Sequence, residues 1–257
     1  MTPDAGVKVT QPYELLEQLL AEERQLREGR RIKMALLTAR LTVLKTLESF
    51  DFRFQPSLDR HRILALASLA FIERREVVHF LGPPGTGKSH LALALGLEAV
   101  RAGKSVYFTP LADLVGALAK AEREGQLRER IRFYTCNALL IIDEIGYLPL
   151  APRSANLFFQ LVNARYERGA LILTSNRGFG EWAEIFGDPV VAAALLDRLL
   201  HHAIVIAIEG ASYRLREHAA LVPEPLRSVT RPVREPPREP RRRGRPPKSA
   251  PPAETPE

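Results

Sequence analysis

Apolar residues recur at helical spacing from Tyr13 to Leu47: Leu15, Leu16, Leu19, Leu20 and Leu26, then Leu36, Leu37, Leu41, Leu44 and Leu47. This periodicity predicts two amphipathic helices, with Gly29 as the break between them. An extended stretch is expected from Phe50 to Pro56. Beyond it, short apolar runs of strand type alternate with helical patterns: Val77–Leu81, Ser105–Phe108, Ala138–Ile142, Leu171–Thr174 and Ile204–Ile208. Five strands separated by helices imply a parallel α/β sheet. The second and third runs are widely spaced, and two helical patterns, Leu111–Ala119 and Leu127–Phe133, fill the interval with a break at Gly125. A simple crossover needs only one helix.

Composition changes this picture at the C-terminal end. Of the 20 prolines, 11 fall within residues 222–257, beside nine Arg/Lys and five Glu. Such a segment cannot bury enough apolar surface to fold alone, so 222–257 is expected to be a disordered basic tail. The expected organisation is a helical segment over 1–48, an α/β domain over 49–221, and the tail. The net charge of +7 points towards polyanions such as nucleic acid, although a solvated charged surface produces the same excess. No apolar run is long enough to span a bilayer and no signal peptide is legible, so a cytoplasmic protein without membrane contact is expected. The single cysteine and six histidines offer neither a disulfide nor a zinc-ligand spacing.

The chemistry is concentrated after the first strand run. Gly82-Pro83-Pro84-Gly85-Thr86-Gly87-Lys88-Ser89 fits the phosphate-loop pattern, between the run Val77–Leu81 and a helical pattern over Lys88–Arg101. Glycines let the loop curl so that backbone N–H groups and a helix N-terminus face phosphates; Lys88 reaches the β and γ groups, and the Ser89 hydroxyl ligates Mg²⁺. A chance glycine-rich turn is the competing reading. The bare pattern arises at random in about one chain in a hundred of this length, and the strand and helix flanks reduce that further.

A metal-holding partner is expected at the end of a central strand. Leu139-Leu140-Ile141-Ile142 is fully apolar and runs into Asp143 and Glu144. Asp143 would position Mg²⁺, and Glu144 would point towards the γ-phosphate and polarise the attacking water. Adjacent acids at a strand end are otherwise an ordinary polar turn. The next run ends at Asn176, placed either to bond the γ-phosphate or to cap a turn. Arg198, amid apolar residues at a helix end, is either a buried structural ion pair or an arginine finger completing a neighbour's site, which requires an oligomer.

These residues occur within the stretches GPPGTGKSH, LLIIDEIGYLPL, LILTSN, GEWAEIFGDPV and LLDRLLHHA, preceded by FDFRFQPSLDR. Together they resemble the IstB family of AAA+ ATPases, transposition helpers of bacterial insertion sequences that are similar to DnaC helicase loaders. The resemblance runs from about Ser49 to Glu217, and the two helices between Leu111 and Phe133 resemble the insertion of the initiator branch of AAA+ proteins. It implies an ATP- and Mg²⁺-dependent homo-oligomer that assembles on DNA, with duplex favoured, and passes it to a transposase. It also implies that Gly82 to Ser89, with His90, bind ATP, that Asn176 is sensor 1, and that Arg198 is the trans-acting finger. Asp51, Phe52 and Gln55 fall where the family's chain passes the adenine.

Two groups of basic residues are candidate DNA contacts. Lys120, Arg123, Arg128, Arg130 and Arg132 on the inserted helices would neutralise phosphates without reading sequence, or else form a solvated face with Glu122, Glu124 and Glu129. Arg243-Gly244-Arg245-Pro246 resembles an AT-hook core, whose arginines enter the narrow minor groove of an A·T tract; a plain basic tail is equally compatible. Three other readings stand beside the transposition helper. They are a helicase loader favouring single-stranded DNA and a replicative helicase, a nucleotide switch without turnover, and a small-molecule phosphotransferase. Glu144 argues against the switch and a trans-acting Arg198 against the phosphotransferase.

Overall fold

The computed structural model describes residues 12–216 other than 42. The expectations for residues 222–257, including Arg243 and Arg245, lie outside the described residues. A long helix, α1 (Pro12–Thr38), is followed by α2 (Arg60–Leu66), α3 (Ala70–Glu73), β1 (Val77–Leu81), α4 (Lys88–Arg101) and β2 (Val106–Pro110). Then come α5 (Leu111–Arg123), α6 (Leu127–Thr135), β3 (Leu139–Ile145), α7 (Pro152–Arg165) and β4 (Ala170–Ser175). The order closes with α8 (Trp182–Phe186), α9 (Pro189–Leu200) and β5 (Ala203–Ala207).

All strand pairs are parallel, in the spatial order β2-β3-β4-β1-β5, so each of the five predicted strands is present with its ends shifted by a few residues at most. Both faces are covered, and strand residues alternate between them. Val78, Phe80, Ile141 and Ile172 pack with α2, α3 and α4 on one side. Val77, Leu140, Ile142, Leu171 and Leu173 pack with α5, α7, α8 and α9 on the other. Burial of this kind is worth about 1.5–3 kcal/mol for each large apolar side chain. The two inserted helices are observed, separated by Gly125 at φ +70°.

Three local expectations are corrected. No break occurs at Gly29, and α1 passes straight through it. A glycine in an exposed helix costs only about 1 kcal/mol, nothing lies within 4 Å of it, and the Glu23–Arg27 and Glu28–Arg31 pairs flank it. The helix expected to reach Leu47 instead ends at Thr38; Arg40 takes φ +59°, and Leu41 and Leu47 are buried in the core from irregular backbone. The stretch from Phe50 to Pro56 is a series of tight turns, with Phe54 N–H donating to Asp51 O (3.3 Å) and Phe50 and Phe52 stacked edge to face. The following helix α2 begins at an Asp59 cap whose carboxylate accepts from the His61 and Arg62 N–H groups.

Candidate active site

In a parallel sheet every strand ends on the same edge, so the loops after β1, β3, β4 and β5 converge there. The loop after β1 curls between Gly82 and Gly87. At Gly85 (φ +80°) an added Cβ would lie 2.0 Å from Ser212 Oγ, and at Gly87 (φ +97°) 2.5 Å from the Phe50 ring. Only glycine supplies both the left-handed backbone and the space. Within the loop, Pro83 O accepts from Thr86 Oγ1 (2.9 Å) and from Lys88 Nζ (2.8 Å).

Beside the loop lies a cavity of about 500 Å³. Its walls include Lys45, Phe50, Asp51, Gln55, Lys88, Ser89 and His90, together with Tyr213 and Arg214. Of the three residues expected at the base, Asp51 and Gln55 line this cavity, but Phe52 does not; Phe50 stands in its place. Gln55 acts as a brace. It is buried, Nε2 donates to Ala211 O (2.9 Å), and Oε1 is sealed from solvent without a partner. His90 ties α4 to the segment before it, with Nε2 donating to Thr46 O (2.9 Å), and burial lowers its pKa most.

The second half of the site joins α4, β3 and β4. Ser89 Oγ donates to the Asp143 carboxylate at 2.8 Å, and Thr174 Oγ1 donates to the same oxygen. Thr174 Oγ1 in turn accepts from the Glu144 N–H at 3.1 Å. Asp143 is buried at 6% exposure, whereas the Glu144 side chain is exposed. Glu144 has φ +63°, and the β3–β4 register slips between Ile142 and Ile145. This bulge turns Glu144 away from the strand while Asp143 remains in it. The surrounding hydrogen-bond groups orient Asn176 so that its amide nitrogen donates to Ile145 O (3.1 Å) and Gly146 O (3.2 Å). Asn176 therefore braces the turn that carries Glu144.

Arg198 lies elsewhere. It sits in the last turn of α9, its guanidinium 4.9 Å above the Tyr166 ring and 3.9 Å from the exposed Asp197 carboxylate. No buried ion pair forms. The α9 end is held to the start of β1, where Val77 N–H donates to His202 O (2.9 Å). The phosphate loop leaves the other end of β1, five residues on, which at roughly 3.3 Å per residue is about 16 Å away. Lys120, Arg123, Arg128, Arg130 and Arg132 are all exposed on α5 and α6. Lys120 lies 3.9 Å from Glu124 and Arg130 packs over Phe133. Among the described residues no helix is long and apolar enough to cross a membrane.

Lys45, Tyr213 and Arg214 were missed from the sequence. The signal for Tyr213 and Arg214 was topological: β5 pairs in parallel with β1, Leu81 opposite Ala207, so the chain leaving β5 must emerge beside the phosphate loop. Tyr213 N–H then donates to Gly85 O (2.9 Å), closing this segment over the loop.

The electrostatics suit a polyanion. Burial pushes the Lys88 ammonium down to about 8; the Asp143 carboxylate opposes this, and Arg214 adds to it. A bound polyphosphate raises that pKa again. Binding is therefore strongest below the free value and weakens as pH climbs through it, by roughly ten-fold per pH unit until the bound pKa is reached. Titration calorimetry with ATP from about pH 7 to about pH 9.5 should show this loss, with proton uptake in buffers of differing ionisation enthalpy. A flat affinity across that range rules out Lys88 as the titrating contact.

A parallel sheet wrapped on both faces, with a phosphate loop after β1 and paired acids near the end of β3, defines a phosphate-loop protein of AAA+ fold. The chain belongs to the family of IstB-like ATP-binding proteins, whose model matches residues 5–220. It is 52% identical over 204 residues to a protein named for ATP binding in insertion sequence IS21 of Pseudomonas aeruginosa, covering 79% of this chain and 77% of that one. A counterpart named from insertion sequence IS5376 of Geobacillus stearothermophilus is 48% identical, covering 79% and 81%. Among solved structures, AMPPCP-bound DnaA from Aquifex aeolicus is similar in fold with a TM-score of 0.55 at 24% identity. That match covers 70% of this chain but only 55% of DnaA. DnaI is similar with a TM-score of 0.54 at 19% identity, over 65% and 92%. The family and both relatives are named for ATP binding.

Proposed function

We propose that this chain is a Mg²⁺-dependent ATPase that assembles as an oligomer on duplex DNA and acts as the ATP-driven partner of a transposase. One observation carries the ATPase reading: Ser89 and Asp143 are already bonded across the loop and β3, with Glu144 turned out beside them. Hydroxyl and carboxylate oxygens form the hard donor set that suits Mg²⁺, and Asp143 is a buried carboxylate facing a buried ammonium. When bound there, Mg²⁺ neutralises charge on the β- and γ-phosphates.

The residues of the chain divide the remaining work. The loop N–H groups and Lys88 hold the phosphates, and Lys88 exchanges its bond to Pro83 O for the phosphate oxygens. Glu144 accepts a proton from the attacking water as the water oxygen bonds to the γ-phosphorus and the bond from that phosphorus to the β,γ-bridging oxygen breaks, releasing ADP and phosphate. Asn176 fixes the position of Glu144 through the Ile145 and Gly146 carbonyls. Arg198 reaches the γ-phosphate of an adjacent subunit, because its own loop lies across the sheet. The insertion-sequence names of the relatives support a role in transposition, and the exposed basic residues of α5 and α6 supply phosphate contacts that do not read sequence.

The test is steady-state ATP turnover with no DNA, duplex DNA and single-stranded DNA at two salt concentrations. Stimulation by duplex that fades with salt is expected. Arg128→Glu should weaken duplex binding and flatten its salt dependence while ATP binding is unchanged. Undiminished DNA affinity of this variant at low salt removes α6 from the interface. Stimulation by single strands alone replaces the transposition helper with a helicase loader.

A further inference from the structure

We propose that Tyr166 is the positioning residue of the arginine finger: its ring carries the Arg198 guanidinium, and His201 holds the ring in place. The inference rests on Arg198 acting in trans. A finger must present one guanidinium to a neighbour's phosphates in one place, and an arginine on a surface helix samples many rotamers. Among the described residues Arg198 makes two side-chain contacts. Asp197 is a weak anchor, since the pair is 3.9 Å apart and its carboxylate is 77% exposed. The Tyr166 ring, 4.9 Å beneath the guanidinium, is the specific one.

The ring is itself fixed from both sides. Its hydroxyl bonds His201 Nδ1 at 2.7 Å, and the two rings lie 5.9 Å apart. Tyr166 follows directly on Arg165, which is almost wholly buried and, among the described residues, has no carboxylate partner. The Arg165 guanidinium donates instead to the carbonyls of Tyr134 (2.8 Å), Ala138 (3.3 Å) and Ala170 (2.7 Å). Those carbonyls belong to the end of α6 and to the starts of β3 and β4, so the backbone under Tyr166 is clamped to the sheet. Burying an unpaired guanidinium is costly, and three carbonyl acceptors offset that cost. His201 is anchored by its neighbours, since His79 Nε2 in the middle of β1 donates to Leu199 O (3.1 Å) and Val77 N–H donates to His202 O. The strand that ends in the phosphate loop thus also carries the support of the finger at its opposite end.

The experiment uses the full chain with ATP and the DNA that stimulates it. Tyr166→Leu should lower turnover by about ten-fold, as expected when a catalytic group is loosened rather than removed, with ATP affinity unchanged. Tyr166→Phe, which keeps the ring face but loses the bond to His201, should recover part of it. Mixing separates a finger defect from a general one. Tyr166→Leu should gain activity when mixed with Lys88→Ala, which supplies a sound finger, and none when mixed with Arg198→Ala. Thermal melting of each variant identifies any loss of fold; where Tyr166→Leu is unfolded, the same mixing is read on Tyr166→Phe, whose smaller defect should be relieved by Lys88→Ala and not by Arg198→Ala. The proposal is overturned if Tyr166→Leu turns over ATP normally while Arg198→Ala is impaired. It is also overturned if Lys88→Ala rescues Arg198→Ala but not a folded Tyr166→Leu. A normal rate for Arg198→Ala would instead overturn the finger assignment itself.

Discussion

Glu144→Gln protein should bind ATP as tightly as the parent and turn it over about 10²–10⁴-fold more slowly, the range set by loss of a positioned general base. The carboxylate is exposed and makes no side-chain bond among the described residues, so replacing it by an amide of the same shape removes nothing that supports the fold. What places it is the backbone. Glu144 holds a left-handed φ of +63°, which costs a residue with a side chain about 1–2 kcal/mol. The Thr174 hydroxyl accepts its N–H, and Asn176 holds the next two carbonyls. Strain sustained by hydrogen bonds from an adjacent strand is characteristic of functional positions. Fluorescent-nucleotide binding with phosphate-release rates checks the prediction, and unchanged turnover would leave the nucleotide-switch reading in possession.

The second large effect belongs to Arg198. If Arg198 is the proposed finger, Arg198→Ala is expected to lower turnover by about 10³-fold or more, with little change in nucleotide affinity or stability. Its position decides the form of the test: the guanidinium lies at the opposite end of β1 from the phosphate loop of its own chain. Lys88→Ala protein lacks its own site but retains the finger, and Arg198→Ala has the reverse defect. Equimolar mixtures should recover part of the activity. Two independent monomers would recover none, and that result would return the phosphotransferase reading.

Much of the site was legible because it is local. Lys88 and Ser89 are placed by the loop and the first turn of one helix, and Asp143 by the end of one apolar strand; each follows from spacing and local geometry. The base-side wall was read less well. Phe52 was expected there, but Phe50 takes the position, because turns rather than extended backbone set which aromatic ring faces Gly87. Gln55 lines the cavity as expected, yet both ends of its amide are directed at the 208–212 loop, a contact 156 residues away in the chain. Periodicity has no access to such separations. The Gly29 break failed for a different reason, since an exposed glycine costs less than the surrounding helix formers and ion pairs supply.

By itself, the sequence determined the class of fold, the five strands, the inserted pair of helices, and the placement of the loop and acids proposed to meet a nucleotide. These rest on patterns that repeat or complete themselves within a few residues, where backbone sterics and burial leave few alternatives. Only the tertiary structure decided that Ser89, Asp143, Thr174 and Glu144 form one bonded chain across one helix and two strands. It alone brought Tyr213 and Arg214 over the loop and set Arg198 on Tyr166 at the far edge of the sheet. Those placements depend on strand order and on the direction in which each chain end leaves the sheet. Both follow from packing apolar faces over the whole domain, and no short stretch of residues encodes them.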